Sequence, residues 1–121
     1  MSQTSDTNKA LTVRFFEQVF NQQNYDVTAT LISPDYKYNG TPTSADGTIA
    51  WAKMLRQKYP DLHFVFETIL GEDEKVAFRW RMTATDQASG KMGYVVGTNI
   101  IVWVDGKALS NDQSGGTDFI P

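Results

Sequence analysis

The sequence predicts an α+β fold in which three N-terminal helices cover the concave face of a cone-shaped, curved antiparallel sheet, a half-open barrel. Apolar side chains recur at helical spacing through most of the first 60 residues and then at a spacing of two. Tight-turn sequences separate the alternating segments, so these strands form a meander. Because strands twist, a sheet of this kind curls and needs a cover on its apolar inner face.

Length and composition predict one domain spanning residues 1–121, with hydrophobic residues making up 40% of the chain. Lys and Arg are scattered and the net charge is −3, which argues against nucleic-acid binding. There is no cysteine, which excludes disulfides, thiolate nucleophiles and cysteine-bound zinc. Neither a signal peptide nor a membrane-spanning stretch is visible, so the expected location is the cytoplasm, without membrane contact.

The first two helices follow from apolar spacing and from their end signals. Asp6 or Thr7 is placed to cap the first helix, and Pro34 ends the second, which begins after Asp26. The apolar side of the first helix consists of Leu11, Phe15, Phe16, Val19 and Phe20. That of the second consists of Val27, Leu31 and Ile32.

A short edge strand and a third helix come next. Residues 35–39 alternate, with Tyr36 and Tyr38 on one face. The stretch 39–48 is rich in Gly, Thr, Ser and Pro and is predicted as a loop. Helical spacing returns from Gly47 to Tyr59, and Pro60 ends this helix.

The remaining strands are predicted over residues 62–70, 76–85, 92–104 and 107–113. In the second of these, Trp80 and Met82 share an apolar face, whereas Arg79 and Arg81 share a polar one with possible charge pairing to Glu67. The third is apolar on both faces, which predicts a central strand and a homodimer through the outer sheet face.

Five segments carry a resemblance to a known family: FFEQVFNQQNYD, ISPDYKYNG, KYPDLHF, VAFRWRMTAT and VDGK. In this order and spacing, the chain resembles the nuclear transport factor 2-like superfamily. Within that superfamily it resembles the SnoaL-like polyketide and ester cyclase group. The resemblance implies the cone fold, a small apolar pocket and chemistry without a cofactor or metal.

The resemblance also implies which side chains form the pocket, beginning with the inward tryptophan of the RW segment, Trp80. The alternative is that these rings only fill a core. The expected ligand-binding residues are Tyr38, Trp51, Leu55, Phe64, Phe66, Trp80 and Met82.

Family cyclases use an aspartate on the last strand as general acid and base, which implies Asp112 or Asp118 here. A carboxyl group in an apolar pocket has a raised pKa that suits proton transfer. Asp112 shares strand parity with Ala108 and Ser110, whereas Asp118 follows a Ser-Gly-Gly break. The alternative for each is a solvated carboxylate.

The sequence lacks several catalytic or metal-binding residues that related proteins carry. His63 is the only histidine, which excludes a two-histidine metal site, and a structural or exposed role is favoured. Where many family members carry a histidine after a Gly-Thr pair, this chain reads Ala84-Thr85-Asp86. Gly40 occupies the position at which the related ketosteroid isomerases place their base.

Two hypotheses therefore remain. The first is a cofactor-independent acid–base enzyme that cyclises, isomerises or hydrolyses a small apolar carbonyl compound. The second is a non-catalytic ligand-binding or dimerisation module of the same fold, which the missing histidine favours. A partner-binding role like that of the transport factor is a minor third. An outward direction of both Asp112 and Asp118 would remove the first hypothesis as framed.

Overall fold

The computed structural model describes residues 3–121 and has the predicted α+β architecture. The helices are α1 (Gln3–Phe15), α2 (Thr28–Leu31) and α3 (Ala45–Lys58). The strands are β1 (Ile32–Tyr38), β2 (Thr41–Pro42), β3 (His63–Glu72), β4 (Lys75–Thr85), β5 (Met92–Val104) and β6 (Lys107–Gly115). They form one curved sheet in the order β2-β1-β6-β5-β4-β3.

The antiparallel meander predicted for the C-terminal half is confirmed, and β1 makes the sheet mixed. Strands β3 to β6 pair antiparallel with their sequence neighbours, and β5 lies centrally between β4 and β6. Strand β1 instead runs parallel to β6. The two-residue strand β2 pairs with the other side of β1 and forms the edge there. Because β2 and β3 do not pair with each other, the sheet stays open.

The first helix differs from the prediction at both ends. It begins at Gln3, so Asp6 lies inside its first turn and neither Asp6 nor Thr7 is its cap. After Phe15 the chain continues as a π-helix over Phe16–Asn21. At its end the Asn21 side chain pairs with Phe64 of β3, donating to its carbonyl (2.9 Å) and accepting from its amide (2.7 Å). This pair fixes the helix end to the sheet.

Strand β1 begins at Ile32, before the predicted start, and therefore contains Pro34. Proline cannot donate to a ladder and is tolerated where the pairing is irregular. The register of β1 against β6 does shift between Ile32 and Lys37, which accommodates Pro34. Helix α2 consequently ends at Leu31, and a 3₁₀ turn over Tyr25–Val27 precedes it.

Helix α3 begins before the predicted Gly47 because Ser44 caps it, accepting a hydrogen bond from the Gly47 amide at 3.1 Å. It ends at Lys58, before Pro60 as predicted. Part of the predicted loop 39–48 is thus a hairpin followed by the first turn of α3.

The core lies between the concave face of the sheet and the first helix. The Phe16 ring makes edge contacts with Phe64, Phe66 and Phe78, with centroids 5.5, 5.6 and 5.1 Å apart. In α1, about one turn before Phe16, Thr12 Oγ1 accepts a hydrogen bond from the Trp103 indole at 2.9 Å. Both residues are fully buried, so the helix covers the sheet as predicted.

Candidate functional site

A cavity of about 550 Å³ lies between the concave face of the sheet and the inner side of α3. The β1–β2 hairpin and residues 116–117 form the rest of its wall. Its volume is within the range of small-molecule sites. Trp51 and Met54 of α3 line it while remaining 46% and 49% exposed, so they mark its open side.

The structure brings together most of the side chains predicted to form a pocket. Phe66 is the exception: its ring packs against Phe16 and Phe78 in the core and does not line the cavity. Expecting Phe66 in the pocket was therefore wrong, because the first helix covers that part of β3. The predicted residues that do line the cavity are Tyr38, Trp51, Leu55, Phe64, Trp80 and Met82.

Trp80 is held in the wall by two glycines and one hydrogen bond. Its ring occupies the space that a side chain at Gly97 or Gly116 would need. Gly97 lies opposite Trp80 in the β4–β5 ladder, and Gly116 has a φ of +82° that favours glycine. The indole nitrogen donates to Asn99 Oδ1 at 2.6 Å. The Trp80 ring is therefore fixed in place.

Asn99 is the first residue of a buried chain of amides. Its Nδ2 donates to Asn111 Oδ1 at 2.8 Å and lies 3.5 Å from Gln113 Oε1. The Tyr38 hydroxyl donates to the same Gln113 oxygen at 2.8 Å. Asn99 and Asn111 are 2% and 5% exposed, and all of these residues line the cavity. The inner end of the cavity is therefore polar but uncharged.

Tyr36 lies beside this amide chain and is 3% exposed. Burial raises the pKa of its hydroxyl to about 12, partly opposed by a hydrogen bond with Asn111. Burial also raises the pKa of Tyr38. Both phenols consequently keep their protons at neutral pH.

Asp112 does not face the cavity, contrary to prediction. The β5–β6 ladder pairs Trp103 with Ala108 and Val102 with Ser110, so Leu109 is an extra residue that forms a bulge. Beyond this bulge, odd-numbered residues of β6 point toward the concave face, whereas before it the even-numbered Ala108 does. Asn111 and Gln113 therefore point inward and Asp112 points outward, where it is exposed opposite the half-exposed Ile100.

Asp118 is exposed as well, in the tail that follows Gly115 and Gly116. The tail runs past the cavity, and its Phe119 ring stacks on Tyr59 with centroids 5.7 Å apart. The expectation that one of the two predicted aspartates faces the cavity is thus wrong. Among residues 3–121, no Asp, Glu or His lines it.

The outer sheet face carries the predicted charge pairs. Arg79 Nε and Arg81 Nε lie 3.1 and 3.0 Å from the two oxygens of Glu67. Hydrogen bonds from Arg81 and then Arg79 hold the pKa of Glu67 below its usual value. Glu67 is the extra residue in the β3–β4 register shift, which brings one carboxylate near both arginines. His63 is exposed on β3.

Among the described residues, no group of His, Cys, Asp and Glu side chains is arranged to hold a metal ion. Within the same part of the chain, no helix has the length and apolar character needed to span a membrane.

Sequence reasoning missed the polar side chains of the site. Asn99 was detectable, because it shares strand parity with buried Val95 and Ile101 and is therefore a polar residue on an apolar face. Asn111 and Gln113 were not detectable, since only the bulge at Leu109 turns them inward.

A family model described as SnoaL-like polyketide cyclase matches residues 10–112. No curated protein matches the chain. A candidate SnoaL-like polyketide cyclase from Jannaschia sp. CCS1 superposes with a TM-score of 0.80 at 20% identity, covering 94% of this chain and 88% of that one. A SnoaL-like polyketide cyclase from Agrobacterium tumefaciens strain C58 superposes with a TM-score of 0.77 at 17% sequence identity, covering 94% of this chain and 91% of that one. TsrD from Streptomyces laurentii superposes with a TM-score of 0.78 at 15% sequence identity, covering 94% of this chain and 90% of that one.

Proposed function

Because the chain belongs to the SnoaL-like polyketide cyclase family, we propose that its cavity binds a compact, largely apolar molecule and that binding, not acid–base catalysis, is its role. The observation that carries this proposal is the composition of the cavity wall. Aromatic and aliphatic side chains surround a small uncharged polar cluster, which is the usual make-up of a small-molecule site.

The ionisable groups of the wall support binding over catalysis. A general base works best with a pKa near the working pH. Tyr36, with a pKa raised to about 12, is far from that value. Lys58 lies in the wall but its side chain is exposed to solvent. With Asp112 and Asp118 both outside the cavity, the described residues offer no carboxylate for proton transfer there.

A direct test measures the heat of binding of 2-isopropenylnaphthalene, an apolar probe small enough for the cavity. We expect Leu55→Trp to weaken binding about tenfold or more, equivalent to about 1.4 kcal/mol, because it fills space in the cavity. The control Leu70→Trp adds the same ring on the outer sheet face and should leave the affinity unchanged. Equal affinity in both variants, or no binding to the unaltered protein, would contradict the proposal.

We also propose a homodimer through the outer sheet face. Leu70 and Ile100, which are 65% and 49% exposed, lie on either side of Ala77 in the sheet and form a continuous apolar surface on this face. Val65, 40% exposed, lies further along the same face. In sedimentation at micromolar concentration we expect a dimer, and Ile100→Glu should convert it to a monomer. Val13→Glu places the same charge on the exposed surface of α1 and should leave the dimer intact. A monomeric unaltered protein would overturn this proposal.

A further inference from the structure

We infer that residues 117–121, which we call the strap, form a movable end wall of the cavity, and that docking of the strap and binding of a ligand stabilise each other. The Phe119 ring and the space left free at Gly93 hold the strap in its docked position. The inference rests on the proposed binding function and adds to it the element that opens and closes the site.

The strap leaves the β5–β6 ladder and rejoins β5 nearer its start. The Gly116 amide still donates to Val96 O at 2.8 Å. Ile120 and Tyr94 then exchange two main-chain hydrogen bonds, each of 2.8 Å. Between these two points β5 has one residue, whereas the other chain has three, residues 117–119. The excess chain must therefore loop out of the ladder.

The looped-out residues bend toward the cavity. Gly116 and Thr117 form part of its wall. The Phe119 ring stacks on the ring of Tyr59, with centroids 5.7 Å apart and planes 12° apart. Tyr59 directly follows α3 and also lines the cavity. The strap is thus part of the wall and is joined to the end of α3 through Phe119.

Strand β5 leaves room for the strap at Gly93. A Cβ atom at this position would overlap the Ile120 carbonyl oxygen and two atoms of the Phe119 ring. The φ of Gly93 is not positive, so its main-chain conformation does not itself require glycine. Space for the docked strap is what the missing side chain provides. Phe119 consequently fills the gap between β5 and Tyr59.

Few contacts hold the docked strap. Four of its five residues are exposed, and Phe119 is the exception. Within the described residues, its main-chain pairing with β5 consists of the two hydrogen bonds to Tyr94. Gly115 and Gly116 precede it, and glycine changes conformation at little steric cost. Segments with few buried contacts open locally far more readily than the core does. The strap can therefore leave while the sheet and the helices stay folded.

A ligand in the cavity should favour the docked strap. When the strap leaves, the cavity loses the part of its wall that Thr117 forms. Tyr59, which is 8% exposed, also loses the ring stacked on it. A ligand then buries less apolar surface and binds the open form more weakly. By linkage, a bound ligand stabilises the docked strap by the same factor.

The first test measures the affinity of 2-isopropenylnaphthalene for variants of the strap and of its docking site. Gly93→Ala blocks docking from the β5 side, and Phe119→Ala removes the stacked ring. We expect each to weaken binding about fivefold or more, the lower end of the usual coupling between two sites. The controls are Met92→Ala and Ile120→Ala, which shorten side chains that are 70% and 42% exposed and should leave the affinity unchanged.

The second test measures docking itself, by amide hydrogen exchange followed by NMR. The Ile120 amide reports on opening, because it donates to Tyr94 O only while the strap is docked. Gly93→Ala should speed its exchange in the absence of ligand. In the unaltered protein, saturating 2-isopropenylnaphthalene should slow it by about the factor lost in the affinity of Gly93→Ala. Amides of the β4–β5 ladder serve as the reference and should not change in Gly93→Ala.

The outcomes separate this inference from the proposed function. Unchanged affinity in either Gly93→Ala or Phe119→Ala, or exchange at Ile120 that the bound probe does not slow, would overturn the inference and leave the proposed function standing. Failure of the unaltered protein to bind the probe would overturn the proposed function and the inference with it.

Discussion

Replacing Arg56 with methionine should lower the unfolding free energy by about 3 kcal/mol, since hydrogen bonds from a charged donor contribute about 1.5–3 kcal/mol each and these are only partly buried. The Arg56 guanidinium donates to four backbone carbonyls. Nη1 lies 3.1 Å from both Pro60 O and Leu62 O, and Nη2 contacts the carbonyls of Phe20 and Asn21. One side chain therefore joins the end of α3, the start of β3 and the end of the first helix.

Urea unfolding measures this effect, with Lys53→Met as the matched control. Lys53 is an exposed cation of the same helix whose contact is with the Tyr25 ring, so its loss should cost little. Arg56→Lys should lie between the two, because an ammonium group lacks the planar fork that reaches several carbonyls at once. If Arg56→Met and Lys53→Met agree to within about 0.5 kcal/mol, the usual range of surface substitutions, the stabilising role of Arg56 is wrong.

The fold was predictable because its largest signals are local. Strand β4 alternates buried and less buried residues along its whole length. This pattern allows only one assignment of its residues to the inner and outer faces of the sheet. The Asp105-Gly106 turn connects β5 and β6 as its sequence predicts. These features place Trp80 on the concave face without any knowledge of long-range contacts.

The chemistry of the site was not predictable, because bulges decide it. A parity count along β6 from Ala108 points Asp112 inward, and a single extra residue at Leu109 reverses that result. A bulge depends on the pairing of two strands and leaves no unambiguous mark in one sequence. The resemblance implied a catalytic aspartate on the last strand, and an inward direction of Asp112 depended on this parity, whereas the prediction of an aromatic wall did not.

The ends of the first helix show the same limit. Its interior was predicted from apolar spacing, but the Asn21 side chain that fixes its end to Phe64 acts across the fold. Its π-helical last turn also has no signal in the periodicity, since its buried residues Phe16, Val19 and Phe20 fit ordinary helical spacing equally well.

Gly97→Ala is expected to destabilise the protein by about 3 kcal/mol, the sum of overpacking and the loss of one hydrogen bond. A methyl group at Gly97 would overlap the six-membered ring of Trp80, which has little room to move because Gly116 borders it as well. The ring would have to leave its position, and its indole nitrogen would leave Asn99. The free energy of unfolding and the affinity for a ligand in the cavity should therefore decrease together.

That joint failure separates this prediction from simple loss of packing. Besides the lower unfolding free energy, Gly97→Ala should bind 2-isopropenylnaphthalene more weakly than the unaltered protein does, because the displaced Trp80 ring is part of the cavity wall. Thr98→Ala alters the adjacent residue, which is exposed on the outer face, and should preserve both stability and affinity. If Gly97→Ala kept its stability, the Trp80 ring would not be confined as described. If it lost stability but kept its affinity for 2-isopropenylnaphthalene, binding would not depend on the position of the Trp80 ring.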